Sequence, residues 1–120
     1  MDLTMDTHQQ ALAMLATEWF KAARRALKLA IEAAPHRYER ERAQLSYSHG
    51  RIQETLTLHG LRVHEFDGQP YSPSLPAEAL NPEDFENEEG LVVAETVEPT
   101  VLLEGRILMR GKVILKRAEQ

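Results

Sequence analysis

The sequence predicts an α+β fold in which helices come first and a small all-β domain follows. Residues 1–59 contain one proline and one glycine, whereas residues 60–120 contain five of each. Apolar residues recur three and four places apart in the first part, and they form short β-rich runs in the second. We therefore predict a helical region over residues 1–59 and a small β-domain with its connecting loop over residues 60–120.

Length and composition exclude several structural and functional classes for this chain. A chain of 120 residues with a net charge of −5 fits one small domain or a compact two-part unit. The absence of cysteine excludes a disulfide scaffold, thiol catalysis and Cys-based metal sites. The acidic balance argues against a nucleic-acid partner. No apolar run approaches the ~18–20 residues of a membrane span, and residues 1–8 lack a basic signal-peptide start, so we expect a cytoplasmic protein without a membrane partner.

The first predicted helix runs from a capping box at Asp6 and Gln9 to Pro35. It has an apolar seam of alternating three- and four-residue steps, formed by Leu12, Leu15, Trp19, Ala22, Ala26, Leu29 and Ala33. A second apolar line runs through Phe20, Ala23, Leu27 and Ile31. Two apolar faces are more than a lone surface helix needs, so this helix is expected to have several neighbours.

The second predicted helix follows Pro35 and ends at Gly60, which suits a left-handed cap with positive φ. Two helices with thin apolar seams do not make a self-sufficient core at this size. Pairing with a second copy would complete a dimeric four-helix bundle, so we predict a homodimer. Its predicted interface comprises Leu15, Trp19, Leu29, Ile52 and Leu56. The alternative is a monomer whose helices pack against its own β-domain.

Short strands and turns are predicted after Gly60. Residues 61–66 form a strand candidate closed by an Asp67-Gly68 turn. Residues 72–82 read as a loop, or as one helical turn around residues 77–80. Further β-rich runs cover residues 91–97, 101–103 and 106–116, with turns or bulges at 104–105 and 110–111. They suggest a small sheet or barrel, and helices followed by strands make the class α+β.

No assembled catalytic site is visible in the sequence. The histidines lack the spacing of a metal site; they are His8, His36, His49, His59 and His64. The acidic residues 83–89 lack the order of a calcium loop, and no phosphate-binding or nucleophile motif is present. We predict no catalytic residue, no metal ligand and no cofactor, which favours a binding protein over an enzyme.

Several fragments of the second half together resemble the GrpE family. They occur in the same order and at similar spacing, over residues 60–63, 68–75, 89–93, 97–100, 102–108 and 113–116. The most specific fragment is Leu-x-Gly-Arg-x-Leu at residues 103–108, which stands at a similar distance after Gly90. The resemblance covers residues 18–116, and most of the long N-terminal helix of that family is missing here.

The resemblance implies a function and a set of contact residues. GrpE proteins are homodimeric exchange factors that bind the ATPase domain of DnaK-type chaperones and promote ADP release. The resemblance places Gly105 and Arg106, together with Val97 and Leu115, on the β-domain face that contacts the ATPase domain. The alternatives are a surface role for Arg106 on its own strand and core positions for Val97 and Leu115.

Two segments depart from the family pattern. Thr100 and Val101 stand where the family usually has a glycine and an aromatic residue, and residues 109–111 replace a frequent Arg-Pro-Ala. These departures keep a second function open, in which a GrpE-derived adaptor or dimerisation module binds another protein without exchanging nucleotide.

Overall fold

The computed structural model describes residues 3–118, with side chains from residue 7 onward. Over those residues two α-helices precede six short strands, which form two three-stranded sheets. This arrangement confirms the α+β class. The chain divides into two compact units, Met1–Arg62 and Val63–Gln120.

The first unit is a pair of helices joined by a tight turn. Helix α1 covers Leu3–Ala33, a 3₁₀ turn covers Pro35–Arg37, and helix α2 covers Tyr38–Leu58. Pro35 ends α1 as expected, because Ala34 before it has non-helical angles of φ −151° and ψ 66°. The predicted N-cap at Asp6 is wrong, since α1 begins at Leu3. No glycine or proline stands before Asp6 to stop the helix there.

The two predicted apolar lines of α1 differ in exposure. Phe20, on the second line, is 5 % exposed, and Thr17 beside it is 3 % exposed and donates its hydroxyl to the Ala13 carbonyl at 2.9 Å. On the first seam, Leu15 and Leu29 are 67 % and 57 % exposed. Much of the apolar surface of α1 is therefore not covered within one chain.

The end of α2 confirms the predicted cap. Gly60 has φ 79°, in the left-handed region, and its N–H donates to the Thr57 carbonyl at 3.0 Å. The His59 N–H donates to the Leu56 carbonyl at 3.0 Å. The chain leaves the helix at this point and enters the first strand at Leu61.

One sheet has the order β1-β4-β5 and the other has the order β2-β6-β3. Their bounds are Leu61–His64 for β1, Ala77–Ala79 for β2, Leu91–Glu98 for β3, Thr100–Leu103 for β4, Arg106–Met109 for β5 and Gly111–Arg117 for β6. Strand β6 pairs antiparallel with β3 and parallel with β2, and β4 pairs antiparallel with β5. The predicted small sheet is thus two sheets.

One prediction in the β-rich half is wrong. Residues 77–79 form β2, where a loop or helical turn was expected, because they pair with the distant β6 at Gly111–Val113. The helical turn occurs later, at Pro82–Asp84. The turn or bulge predicted at residues 110–111 falls at the break between β5 and β6, where the chain passes from one sheet to the other at Arg110.

The core of the second unit lies around β3 and β6. Its buried members are Phe66, Ala77, Leu91, Val93, Val113 and Leu115. The free side of β3 is covered by the preceding loop, because Val93 exchanges backbone bonds with Gly68 and Gln69 at 2.8 and 2.9 Å. Asn81 extends the other side of β6: its Oδ1 accepts from the Leu115 N–H at 2.9 Å and its Nδ2 donates to the Leu115 carbonyl at 3.1 Å.

Candidate functional site

An apolar groove runs between the two helices of the first unit. It has a volume of about 280 Å³ and is lined by Leu12, Leu15, Ala16 and Trp19 of α1 and by Arg51, Ile52, Thr55 and Leu56 of α2. Helical spacing produces this lining, because residues three and four apart share one face of each helix. The groove is large enough to take bulky apolar side chains.

Trp19, one of the residues that line this groove, carries an unsatisfied polar atom. Its Nε1 is buried and has no hydrogen-bond partner within the described part of the chain. A buried indole N–H normally finds an acceptor, and leaving it without one costs about 1–3 kcal/mol. The lining of the groove is mostly apolar, so the groove favours an occupant that brings apolar side chains.

Four of the five predicted dimer-interface residues meet at this groove. They are Leu15, Trp19, Ile52 and Leu56. Leu15 is 67 % exposed and free to contact a partner, whereas Leu56 is 3 % exposed and already packed within the chain. Leu29 lies apart from them, about 15 Å further along α1 than Trp19. The sequence missed Arg51 and Thr55, because polar residues do not stand out in an apolar seam.

The hairpin between β4 and β5 presents Arg106. Glu104 and Gly105 have φ 49° and 84°, the angles of the two central residues of a type I′ turn. Leu103 and Arg106 face each other across that turn. The Arg106 side chain is exposed and has no acidic partner among the described residues. The turn predicted at residues 104–105 is confirmed, and it places an unpaired guanidinium at the surface.

The other two predicted contact residues belong to the second sheet. Val97 is partly buried in β3, next to a bulge in its pairing with β6. Leu115 is 3 % exposed and packs in the core with Val93 and Val113, so its side chain is not available to a partner. The alternation of Gly111, Val113 and Leu115 along β6 indicates this inward direction, because alternate residues of a strand share one face.

Ile107 is an exposed apolar residue that the sequence analysis did not single out. It follows Arg106, is 45 % exposed and faces the partly buried Leu102 across the hairpin. The sequence contains a hint of this contact, because Ile107 is an apolar residue at the second variable position of the Leu-x-Gly-Arg-x-Leu fragment. Arg106 and Ile107 together give the hairpin a charged and an apolar contact side by side.

The described residues offer no second kind of site. No group of three or more His, Cys, Asp or Glu side chains among them is arranged to hold a metal ion. Neither helix is long and apolar enough over its described residues to cross a membrane. His64 lies 4.8 Å from the Phe66 ring, centroid to centroid, in a tilted contact.

Comparison of this chain with family models, with curated proteins and with solved structures finds no match. The function proposed below is supported by the order of the sequence fragments and by the geometry of the hairpin and the groove.

Proposed function

We propose that this protein is a GrpE-like cochaperone that binds the ATPase domain of a DnaK-type chaperone and promotes ADP release. The observation that carries the proposal is the β4–β5 hairpin, where the Leu-x-Gly-Arg-x-Leu fragment forms a tight turn with an exposed Arg106. An exposed arginine can bind a partner carboxylate through two parallel hydrogen bonds. A DnaK-type partner implies the cytoplasm as the compartment.

Such a protein acts by binding and not by catalysis. It must bind the open, nucleotide-free form of the ATPase domain more tightly than the closed form. By linkage, it then weakens nucleotide binding by the same factor. Shifting an equilibrium from 1:99 to 99:1 requires about 10⁴-fold differential affinity, or about 5.5 kcal/mol. A few charged contacts beside an apolar patch can supply this, and Arg106 with Ile107 would form one part of such a surface.

We also propose that the helices pair with those of a second copy in a four-helix bundle. Leu15 is 67 % exposed beside the groove, and Leu29 adds a second exposed apolar side chain on α1. Covering such a seam is the driving force for helix-bundle association.

The alternative function is a GrpE-derived adaptor or dimerisation module that binds another protein without exchange. Its support is the pair of departures from the family pattern, Thr100-Val101 and residues 109–111. Thr100 and Gly111 are both buried and contact each other, so the departures alter the interior of the β-domain next to β5. A changed interior can alter which partner the hairpin fits.

The affinity of the protein for the isolated ATPase domain distinguishes these functions. We expect tight binding to the nucleotide-free domain and binding weakened about 100-fold or more by saturating ADP, since the two ligands oppose each other. Isothermal titration with and without ADP measures both values. Equal affinity in the two titrations would favour the adaptor, and no binding in either would remove the chaperone as the partner.

A further inference from the structure

Strand β5 stands at one end of its sheet, so only one of its two edges is paired with another described strand. In the order β1-β4-β5, its described neighbour is β4 alone. In the second sheet, by contrast, the outer edge of β3 is paired with the backbone of Gly68 and Gln69. Strand β6 of that sheet is paired with β2 and, beyond the end of β2, with the Asn81 side chain. An uncovered strand edge carries backbone donors and acceptors that another chain can pair with.

Ile107 directs its backbone groups to this edge. Residues that flank a two-residue hairpin turn exchange both of their hydrogen bonds, so Arg106 pairs with Leu103. The next residue along an antiparallel strand points its N–H and C=O the opposite way. The Ile107 N–H and C=O thus face away from β4, and its side chain is 45 % exposed. A bulge at Leu108 follows, which limits pairing to the start of the strand.

Two arginines stand at the ends of this edge, and Glu104 is the exposed carboxylate of the adjoining turn. Arg106 and Arg110 flank the exposed part of β5, and both are exposed without an ion pair in the described part of the chain. The chain as a whole has a net charge of −5. A local pair of guanidinium groups at an open strand edge suits a segment with carboxylates at matching positions.

We propose that the β5 edge binds an extended acidic segment of a partner protein by strand addition, with the Ile107 backbone supplying the main-chain bonds and Arg106 and Arg110 the charge pairs. Strand addition of this kind takes its affinity from backbone bonds and its specificity from alternate side chains. The inference rests on the proposed function, because it takes Arg106 as the contact, and it adds the conformation and charge of the segment that is bound.

A labelled peptide tests this inference with the full chain. The probe is an eight-residue peptide of alternating valine and threonine with a glutamate near each end, and the matched control has lysine in place of glutamate. Fluorescence anisotropy should show the acidic peptide binding at least about tenfold tighter than the lysine peptide, as expected for two charge pairs of modest strength. Equal binding of the two peptides would overturn the charge requirement, and no binding of either would overturn the site.

The main-chain contact has its own variant. Ile107→Pro removes the outward N–H and leaves the bonds between β4 and β5 in place, because proline is tolerated at the open edge of a sheet. Ile107→Val keeps the N–H. We expect Ile107→Pro to weaken acidic-peptide binding about tenfold and Ile107→Val to leave it within about twofold. If Ile107→Pro does not fold, amide hydrogen exchange of the parent replaces it: peptide must protect the Ile107 amide, and an unprotected amide overturns strand addition.

ADP release from a DnaK-type chaperone separates this inference from the proposed function. Acidic-peptide binding that depends on Ile107, without any effect on ADP release, supports strand addition and removes exchange. Accelerated ADP release without peptide binding supports exchange and overturns strand addition.

Discussion

The buried hydroxyl of Thr100 accepts a hydrogen bond from the Gly111 N–H at 2.9 Å. Thr100 is 0 % exposed, and its hydroxyl also donates to the carbonyl of Pro76. This one side chain therefore connects the start of β4, the start of β6 and the segment before β2.

Thr100→Val tests this contact. Valine keeps the shape but leaves the Gly111 N–H buried without a partner, so we expect a loss of about 1–3 kcal/mol in the free energy of unfolding. Urea denaturation followed by circular dichroism measures it. Thr57→Val is the matched control, because Thr57 is exposed on α2 and should change stability by less than about 0.5 kcal/mol. Equal effects at the two positions would show that the buried bond contributes little.

Gly111 and Gly50 should respond to alanine with opposite signs. A Cβ on Gly111 would lie 2.6 Å from the Glu98 carbonyl oxygen and 2.7 Å from the Thr100 nitrogen, both backbone atoms. Gly111→Ala is therefore expected to destabilise by about 1–3 kcal/mol. Gly50 lies exposed in α2 with nothing within 4 Å of such a Cβ, so Gly50→Ala should stabilise by about 0.5–1 kcal/mol.

Thermal unfolding of both glycine variants checks this pair. The result to expect is a lower midpoint for Gly111→Ala and a higher midpoint for Gly50→Ala. If Gly111→Ala is as stable as the parent, the backbone of residues 98–100 can move away from the added methyl group. That result would contradict the close packing of Gly111 against this backbone.

Asn81→Asp should loosen the loop that borders β6. Aspartate keeps an acceptor for the Leu115 N–H but loses the Nδ2 donor. It places a carboxylate oxygen against the Leu115 carbonyl and against the Asp84 carboxylate, to which the Nδ2 also donates at 3.2 Å. We expect a loss of about 1–3 kcal/mol in the free energy of unfolding. Asn87→Asp is the matched control, since the Asn87 Oδ1 only accepts, from the Glu89 N–H at 3.1 Å and from Arg117.

Chemical denaturation at neutral pH compares the two asparagine variants. Asn87→Asp should remain within about 0.5 kcal/mol of the parent. If both variants lose the same stability, added negative charge in this acidic loop is the cause, and the bond to Leu115 is not.

The sequence predicted those parts of the fold that depend on local residues. Pro35 and Gly60 bound the second helix correctly, and Glu104-Gly105 forms the predicted turn. Strand β2 escaped prediction because residues 77–79 are extended only by pairing with Gly111 and its neighbours, more than thirty residues later. Local propensity contains no information on such a remote partner.

The candidate site likewise includes features that the local sequence predicts and features that depend on the tertiary fold. Helical periodicity defines a helix face, and four of the residues predicted as dimer contacts line one groove within the chain: Leu15, Trp19, Ile52 and Leu56. Leu115 was assigned to a contact face by resemblance, and it lies in the core because β6 is buried on that side. The sequence could not predict a binding role for Ile107, because that role depends on the position of β5 at the end of its sheet.

Leu15→Glu tests the proposed dimer. Leu15 is 67 % exposed in one chain, so a glutamate there costs the isolated chain little, but it places a charge in the proposed helix interface. We expect a folded protein that is monomeric at micromolar concentration by light scattering. Leu58→Glu is the matched control, because Leu58 is 84 % exposed and does not line the groove.

Trp19 provides a second readout of the same equilibrium. It is the one tryptophan in the sequence, so dissociation should shift the fluorescence emission to longer wavelength as the groove becomes wet. A parent protein that is already a folded monomer, with the emission unchanged on dilution, would contradict the four-helix bundle.

Release of labelled ADP from a DnaK-type chaperone tests the central claim most directly. The parent protein should accelerate release, and Arg106→Ala should stay folded and dimeric while binding of the ATPase domain weakens by about 1.5–3 kcal/mol, the range for a hydrogen bond to a charged group. Arg40→Ala, which removes an exposed arginine from α2, is the matched control and should act as the parent does. If saturating parent protein leaves ADP release at its spontaneous rate, the exchange function is contradicted. If Arg106→Ala keeps the full activity of the parent, Arg106 is not part of the contact.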